Sequence, residues 1–320
     1  MTSSPHVSVL LVTKNGERYL AELLTRVSQQ QGECAVDEII AVDSGSRDAT
    51  VEILHRFGVK TLRIAPQEFG HGKTRNLAAS QAQGEYLVFL TQDATPANAH
   101  WLVRLLAPLQ QDATVAGAYS RHLPRPHCHP MEWRRIVECE LSGRPHSQLN
   151  SAVDNPAYAA NPALYYFFSN VSSVLRRQVW EKFPFPEVEF GEDQLWAKQV
   201  LEAGYKTAYC ADSLVYHSHS YGPWTNLCRH FDHCLALQGQ LPQLTLRTCI
   251  PAALRAARTD LGFWARRHGY RKTHVVLRWA LPALSWHLAA NLGMWLGERA
   301  DRLPRRVCRF LSLQERIKRR

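Results

Sequence analysis

"GEYLVFLTQDATP", residues 84–96, runs from a glycine through a short apolar stretch into a polar turn that carries one carboxylate, Asp93. A run of this length, rich in aromatic and β-branched residues and bounded by turn signals, reads as a buried strand. The turn beyond the strand sets the chemistry. A hard divalent cation takes oxygen ligands, and it needs few protein carboxylates when substrate phosphates supply the rest. One carboxylate at a strand end is therefore compatible with Mg2+ or Mn2+ and does not demand either. The alternative is a strand that simply runs into a turn.

The same grammar repeats upstream. "VSVLLVT" (7–13) predicts a buried strand ended by the turn-prone "KNG". Leu20, Leu23, Leu24 and Val27 predict a helix over 17–31. "DEIIAVDSGSRDAT" (37–50) predicts a strand at 38–42, a small-residue turn after Asp43, and a helix over 49–57 capped by Ser46 or Asp48. "VKTLRIA" (59–65) is a third strand, and "GKTRNLAASQAQG" (72–84) a helix with a glycine stop. Strands alternating with helices of this length predict an α/β protein with a Rossmann-like, mostly parallel sheet covered on both faces. Ligands of such sheets sit beyond the carboxyl ends of the strands. Thr13–Gly16, Asp43–Asp48 and Asp93 should therefore converge on one cleft.

Further along, 121–165 is rich in Pro, His, Arg and Asn and predicts a long substrate loop with a short helix around 131–141. "FFSNVSSVLRRQVW" (167–180) returns to a strand and a helix. "EFGEDQLWAKQVLEAGY" (189–205) starts a helix at Glu192 and Asp193, with Trp196, Val200 and Ala203 as its buried stripe. "KTAYCADSLVYHSHSY" (206–221) is a strand that ends in a histidine pair.

Four groups in this layout can carry chemistry. Asp43 can accept from a nucleobase imide or a ribose hydroxyl, or it can close an Asx turn or cap a helix; its residue type fits each. "EFGHGKTRNLAAS" (68–80) leads glycines and the cations Lys73 and Arg75 into a helix, which suits a diphosphate, although the P-loop spacing is absent and a solvated basic turn has the same composition. "GED" (191–193) offers adjacent carboxylates at a helix start, where acids also occur for dipole reasons alone. His217 and His219 fall on one side of an extended segment and can reach phosphate or metal, or serve structural ends.

Taken in order, "VSVLLVTKNG", "VDSGSRDAT", "FGHGKTRNLA", "GEYLVFLTQDATP", "GEDQLWAKQVLEAGYKTAY" and "VYHSHSY" resemble the inverting family 2 glycosyltransferases of GT-A fold. The variants "FGHGKTRN" and "LTQDATP", with "YGPWTNLCRHFD", look most like bacterial rhamnosyltransferases of O-antigen and capsule assembly. The resemblance covers roughly residues 6–235. It implies a donor pocket lined by Thr13, Asn15, Asp43, Ser44, Gly45, Asp48, Lys73, Arg75, Asn76, Gln92 and Asp93, with Asp43 at the base or ribose and Arg75 near the diphosphate. It implies Asp193 as general base with Glu192 as its partner. It also implies a divalent cation, Mg2+ or Mn2+, at Asp93, with His217 or His219 near it. Asp93 matches the second carboxylate of the family's DxD element, and Thr91 stands where the first would be, which weakens metal affinity without removing the site. The implied reaction is direct displacement of a nucleoside diphosphate, with dTDP-β-L-rhamnose as the donor and an α-linked product. A UDP- or GDP-sugar is the alternative donor. A non-catalytic nucleotide-sugar-binding protein, or a basic membrane- or nucleic-acid-binding protein, is the alternative of another class.

Composition adds a division of charge. Of the 38 Lys and Arg and 28 Asp and Glu, residues 243–320 hold 17 and 4, so a slightly acidic body carries a strongly basic tail. The expected domains are a catalytic 1–240 and a basic, Trp-rich helical region 241–320. "VVLRWALPALSWHLAANLGMWLG" (275–297) is apolar enough to raise a membrane span, but Arg278, Pro282, His287 and Asn291 argue against one. Trp279, Trp286 and Trp295 among arginines fit helices lying on an anionic membrane face, or a helical subdomain that packs them inward. The N-terminus shows no basic n-region and only a short apolar run. The expectation is a cytoplasmic protein, peripheral at the inner face of a bacterial membrane, whose partners are a nucleotide sugar and a glycan or lipid-linked acceptor. Nucleic acid is not expected. The 8 cysteines show no CxxC pair, and "HCH" (127–129) and "CRHFDHC" (228–234) match zinc spacings poorly.

Overall fold

A computed structural model describes residues 6–188, 191–236, 245–268, 272–313 and 315. Along the chain the elements are β1 (Val7–Thr13), α1 (Glu17–Ser28), β2 (Val36–Asp43), α2 (Thr50–Arg56), β3 (Lys60–Arg63), α3 (His71–Ser80), β4 (Tyr86–Thr91) and β5 (Thr95–Pro96). They continue as α4 (Trp101–Gln111), β6 (Val115–Leu123), α5 (Pro130–Val137), β7 (Gln148–Ser151), β8 (Ser172–Arg176), α6 (Arg177–Lys182), α7 (Glu192–Glu202) and β9 (Lys206–Tyr216). The last elements are the helices α8 (Pro223–Ala236), α9 (Leu246–His268), α10 (Lys272–Gly297) and α11 (Arg305–Leu311).

The chain forms two compact units. One comprises Met1–Arg125 with Ile136–His217, and the other Pro126–Arg135 with Ser218–Arg320. The first holds a sheet ordered β3-β2-β1-β4-β8-β6-β9-β5, with β7 paired to β9. Strands β1, β2, β3, β4, β6 and β9 run one way, and β8, β5 and β7 run the other. The mostly parallel, helix-covered sheet expected from the alternation is present, and β8 enters it as a reversed strand between β4 and β6.

Side-chain alternation along β1 and β4 builds a core on each face. Val9, Leu11, Val88 and Leu90 pack with Leu20, Leu23 and Leu24 of α1 and Trp101 and Leu105 of α4. Leu10, Leu87 and Phe89 pack on the opposite face with Ala78 of α3 and Trp196 and Val200 of α7. A buried hydroxyl knot ties the reversed strand down. Trp101 Nε1 donates to Ser120 Oγ at 3.1 Å and Ser172 Oγ at 3.0 Å, and Ser213 Oγ donates to the Trp101 carbonyl at 3.0 Å.

Several boundaries differ from expectation. The stretch 121–165 is not one loop, because β6 runs on to Leu123, α5 ends at Val137, and β7 adds to the sheet edge. On β7 the polar Asn150 and Ser151 are buried while Leu149 is 52% exposed, an inverted pattern that hides a strand. The third strand is only Lys60–Arg63. In α7 the buried stripe is Trp196, Ala197, Val200 and Leu201, and Ala203 caps the helix in the open.

The helical unit buries Met131, Ala257, Ala283 and Trp286 together. Arg134 Nε and His287 Nε2 both reach Asp260, His287 at 2.6 Å. Trp286 is therefore core in its own unit. Among the described residues no helix is long and apolar enough to cross a membrane.

Candidate active site

At the carboxyl ends of β1 and β2, Thr13 and Asp43 are register partners. Asp43 is fully buried; its Oδ1 accepts from the N–H groups of Gly45 (3.1 Å) and Ser46 (2.9 Å), and its Oδ2 from Thr13 Oγ1 (3.1 Å) and Ser46 Oγ. Four donors fill the acceptor capacity of a carboxylate. Of the roles its residue type allows, the Asx turn is present, and Asp43 shapes the loop. Gly45, at φ +86°, lets the chain turn where a side chain would be strained and would also meet the Pro66 ring. Ser44 donates from its N–H to the Thr13 carbonyl at 3.0 Å.

Asn15 braces the same loop from β1. Its N–H donates to Ser46 Oγ at 2.8 Å, and its Oδ1 accepts from the Arg47 N–H at 2.9 Å. Neither Ser46 nor Asp48 is the N-cap of α2, which is Ala49 without a side-chain cap bond; Asp48, one residue earlier, accepts from the Thr50 N–H at 3.1 Å and from the Glu17 N–H at 3.2 Å. Although burial works against its charge, the bonds from Thr50 and Glu17 hold the Asp48 carboxyl below its ordinary range. Gln92 clamps Lys14 from both sides, Oε1 accepting its N–H and Nε2 donating to its carbonyl, each at 2.9 Å.

At the end of β4, Asp93 Oδ1 lies 3.7 Å from Nε2 of His217, which comes directly after β9. The His217 backbone N–H donates to the Leu123 carbonyl at 2.9 Å, so its backbone is anchored where β6 and β9 end side by side. Thr91 Oγ1, on the last residue of β4, is buried and has no hydrogen-bond partner among the described residues. Arg125, which no motif flagged, donates to the Asp93 carbonyl at 3.0 Å and Thr95 Oγ1 at 2.7 Å, and it lies over the Tyr19 ring at 3.8 Å. His219 belongs to the helical unit, where its ring stacks on Tyr221 at 4.8 Å.

The third group forms at the start of α7. Gly191, at φ +76°, turns the chain into the helix and places Glu192 and Asp193 in its first turn. Glu192 is buried and ion-paired through Oε1 with Nη1 of Arg75, which is itself 8% exposed. Asp193 Oδ2 accepts from the Asn170 N–H at 3.1 Å, and Oδ1 from the Gln194 N–H at 2.9 Å. Burial first, and Glu192 beside it second, push the Asp193 carboxyl up to about 6, while Arg75 pulls the other way. Next to Asn170 is Val171, whose carbonyl accepts from the Thr91 N–H at 3.1 Å. One backbone step thus joins the Asp193 contact to the Thr91–Asp93 strand end.

Two residues expected in the donor pocket have protein partners of their own. The Arg75 guanidinium is held through Nη1 by the buried Glu192 carboxylate. Asn76 ties α3 to the 180–185 segment: Nδ2 donates to the Phe185 carbonyl at 2.8 Å, and Oδ1 accepts from Trp180 Nε1 and the Phe185 N–H, both at 3.0 Å. Its carboxamide is a structural tie. Lys73, two residues before Arg75 on α3, is exposed. The Arg75 contact predicts a stability effect. Removing one partner of a buried ion pair typically costs about 3–5 kcal/mol, so Arg75→Ala should unfold at markedly lower urea than the parent protein, while Lys73→Ala should sit within about 0.5 kcal/mol of it.

A mostly parallel, helix-covered sheet thus carries Asp43, Asp93 and His217 at its strand ends and the raised carboxyl of Asp193 at the start of α7. Residues 8–177, more than half of the chain, match the Glycosyl transferase family 2 model, and the chain belongs to that family. It is a glycosyltransferase. The O-antigen chain rhamnosyltransferase RfbN of Salmonella typhimurium is 29% identical over 96% of this chain and 94% of its own length. The O-antigen chain rhamnosyltransferase WbaN of Salmonella anatum is 32% identical over 86% and 84%. The mannosyltransferase PcManGT from Pyrobaculum calidifontis, solved with GDP-Man and Mn2+, superimposes with a TM-score of 0.58 over 94% of this chain and 89% of that one at 19% identity. That likeness shows the GT-A fold.

Proposed function

We propose that the protein is an inverting rhamnosyltransferase of bacterial surface polysaccharide assembly, moving L-rhamnose from dTDP-β-L-rhamnose to a hydroxyl of a glycan or lipid-linked saccharide. The observation that carries the chemistry is Asp193: a carboxylate raised toward neutrality and held by the Asn170 N–H, whose neighbour Val171 bonds Thr91 at the end of β4. The rhamnose assignment rests on the names of two relatives aligned over most of their length.

In this reading the acceptor oxygen forms a bond to the anomeric carbon as the bond from that carbon to the diphosphate oxygen breaks. The electron pair leaves with the diphosphate. Asp193 takes the acceptor's proton, which suits a base poised near the working pH. One carboxylate suffices because the leaving group needs no proton. Glu192, neutralised by Arg75, holds Asp193's surroundings in place. The loop organised by Thr13, Asn15, Asp43, Ser44, Gly45 and Asp48 offers its backbone to the nucleoside, with Gln92 fixing its height and Lys73 exposed for the diphosphate.

The donor set at Asp93 fits a divalent cation, Mg2+ or Mn2+: a carboxylate oxygen and an imidazole nitrogen from His217. His219 is the second histidine candidate. A bound cation supplies charge neutralisation for the departing diphosphate. Residues 1–240 act as the catalytic domain, and 241–320 as a basic region that keeps the enzyme peripheral at the inner face of the cytoplasmic membrane.

A thermal-shift panel of nucleotide sugars with Mg2+ or Mn2+ tests the donor. At a hundred times its Kd, a ligand stabilises the fold by about 2.7 kcal/mol. dTDP-β-L-rhamnose should raise Tm most; preference for a UDP- or GDP-hexose overturns the donor.

A further inference from the structure

The helix α9 has two unlike faces. Cys249, Ala253, Ala257 and Asp260 are buried, whereas Leu246, Ile250 and Leu254 are 52%, 59% and 52% exposed. The three aliphatic side chains are spaced four apart, so they form one line along the helix. Arg247, Arg255 and Arg258 are exposed beside them. The one acidic side chain of α9, Asp260, is 1% exposed and engaged by Arg134 and His287, so it offers the outer face no counter-charge. Its packing partner α10 repeats the pattern at Leu277 and Leu281, 81% and 78% exposed around Arg278. Of the three tryptophans considered for a membrane face, Trp286 is buried and Trp279 and Trp295 are half-buried, so the most exposed apolar side chains of these two helices are the aliphatic ones.

Exposed aliphatic side chains in a row with flanking arginines are costly in water unless something covers them. Charge complementarity names the cover. Residues 243–320 carry 17 basic against 4 acidic side chains, so the partner is anionic. It is also apolar beneath its charge, because aliphatic side chains offer nucleic acid neither stacking nor base-edge hydrogen bonds. We propose that the Leu246–Ile250–Leu254 stripe of α9, flanked by Arg247, Arg255 and Arg258, is the face that lies on an anionic lipid bilayer. The aliphatic side chains enter the headgroup–acyl boundary while the guanidinium groups meet lipid phosphates. With no described helix able to span, the helix lies along the surface. The inference rests on the reading of the enzyme as one that serves a membrane-borne acceptor.

The test is co-sedimentation of the full chain with vesicles of phosphatidylethanolamine and phosphatidylglycerol, against vesicles of phosphatidylcholine alone. The protein should bind the anionic vesicles at low salt and the neutral ones at least tenfold more weakly, with partial release at 1 M NaCl. The double variant Ile250→Glu, Leu254→Glu should lose at least tenfold in vesicle affinity, while Leu149→Ser, an exposed leucine of the first unit, should not change it. Both variants should keep the parent Tm and the parent donor-induced thermal shift, which separates failure of the docking face from failure of the donor assignment. Unchanged vesicle binding by the double variant overturns the proposal. So does equal binding to duplex DNA and anionic vesicles at matched salt, or a concentration-dependent dimer that the double variant abolishes without anionic vesicles competing for the same face.

Discussion

Asp193→Asn should lower turnover by about 10²–10⁴-fold while leaving donor binding intact, because a general base contributes on that scale and makes no contact the donor needs. The substitution keeps shape and one acceptor oxygen for the Asn170 N–H, so the loss reports the proton and not a collapsed loop. In the parent protein, kcat/KM should fall below about pH 6, where the carboxyl raised to about 6 becomes protonated and cannot accept the acceptor's proton. Stability should move the other way. The folded chain holds this proton above the pH at which the unfolded chain releases it, so stability falls as pH rises through the window from about 4 to about 6 and stays lower above it. Asp193→Asn should therefore be more stable than the parent at pH 8, on the order of 1–2 kcal/mol, and no different at pH 4. Denaturant midpoints at both values check this. A variant that is inactive but not stabilised at pH 8 contradicts the raised carboxylate.

Asp93→Ala should remove metal-dependent transfer, at a cost of about 10²–10³-fold, the scale on which lost charge stabilisation at a leaving group is felt. Thr91→Ala should change turnover by less than about threefold, because a hydroxyl adds little to a hard cation that phosphates and water already surround. The readout is the response to added Mn2+ or Mg2+: Asp93→Ala should be flat across millimolar titration, whereas Thr91→Ala should saturate like the parent. His217→Ala should need more cation for half-maximal rate. Parent-like metal dependence in Asp93→Ala contradicts the assignment of this strand end to the cation.

The parts of the fold that were legible are those whose side chains repeat on a fixed period. β1, α1, β4 and the start of α7 announce themselves because buried parallel strands are continuous apolar runs and covering helices carry stripes. α4 has such a stripe too, at Trp101, Leu102, Leu105, Leu106 and Leu109, with Pro108 in its last turns arguing against it. β6 and β7 are opaque for a physical reason. Gly117, Ala118, Ser120 and Asn150 have little intrinsic preference for strands, and their pairing is imposed by neighbours far away in sequence. The site shows the same contrast. Asp93 and Asp193 are readable from their places at a strand end and a helix start, whereas Arg75, Asn76 and Asp43 show what they bind only once Glu192, Phe185 and the Ser46 turn are beside them. Arg125 carried no motif at all, and its contact with the Asp93 carbonyl is a long-range product of the fold.

The measurement that bears most directly on inverting transfer needs no acceptor. In the slow hydrolysis of dTDP-β-L-rhamnose by the enzyme, water takes the place of the acceptor hydroxyl, and proton NMR tracks the first anomer of rhamnose released before mutarotation. Displacement from the face opposite the diphosphate predicts that α-L-rhamnose appears first, with Asp193→Asn abolishing its release. Initial release of the β-anomer, or release at parent rate by Asp193→Asn, would contradict the account.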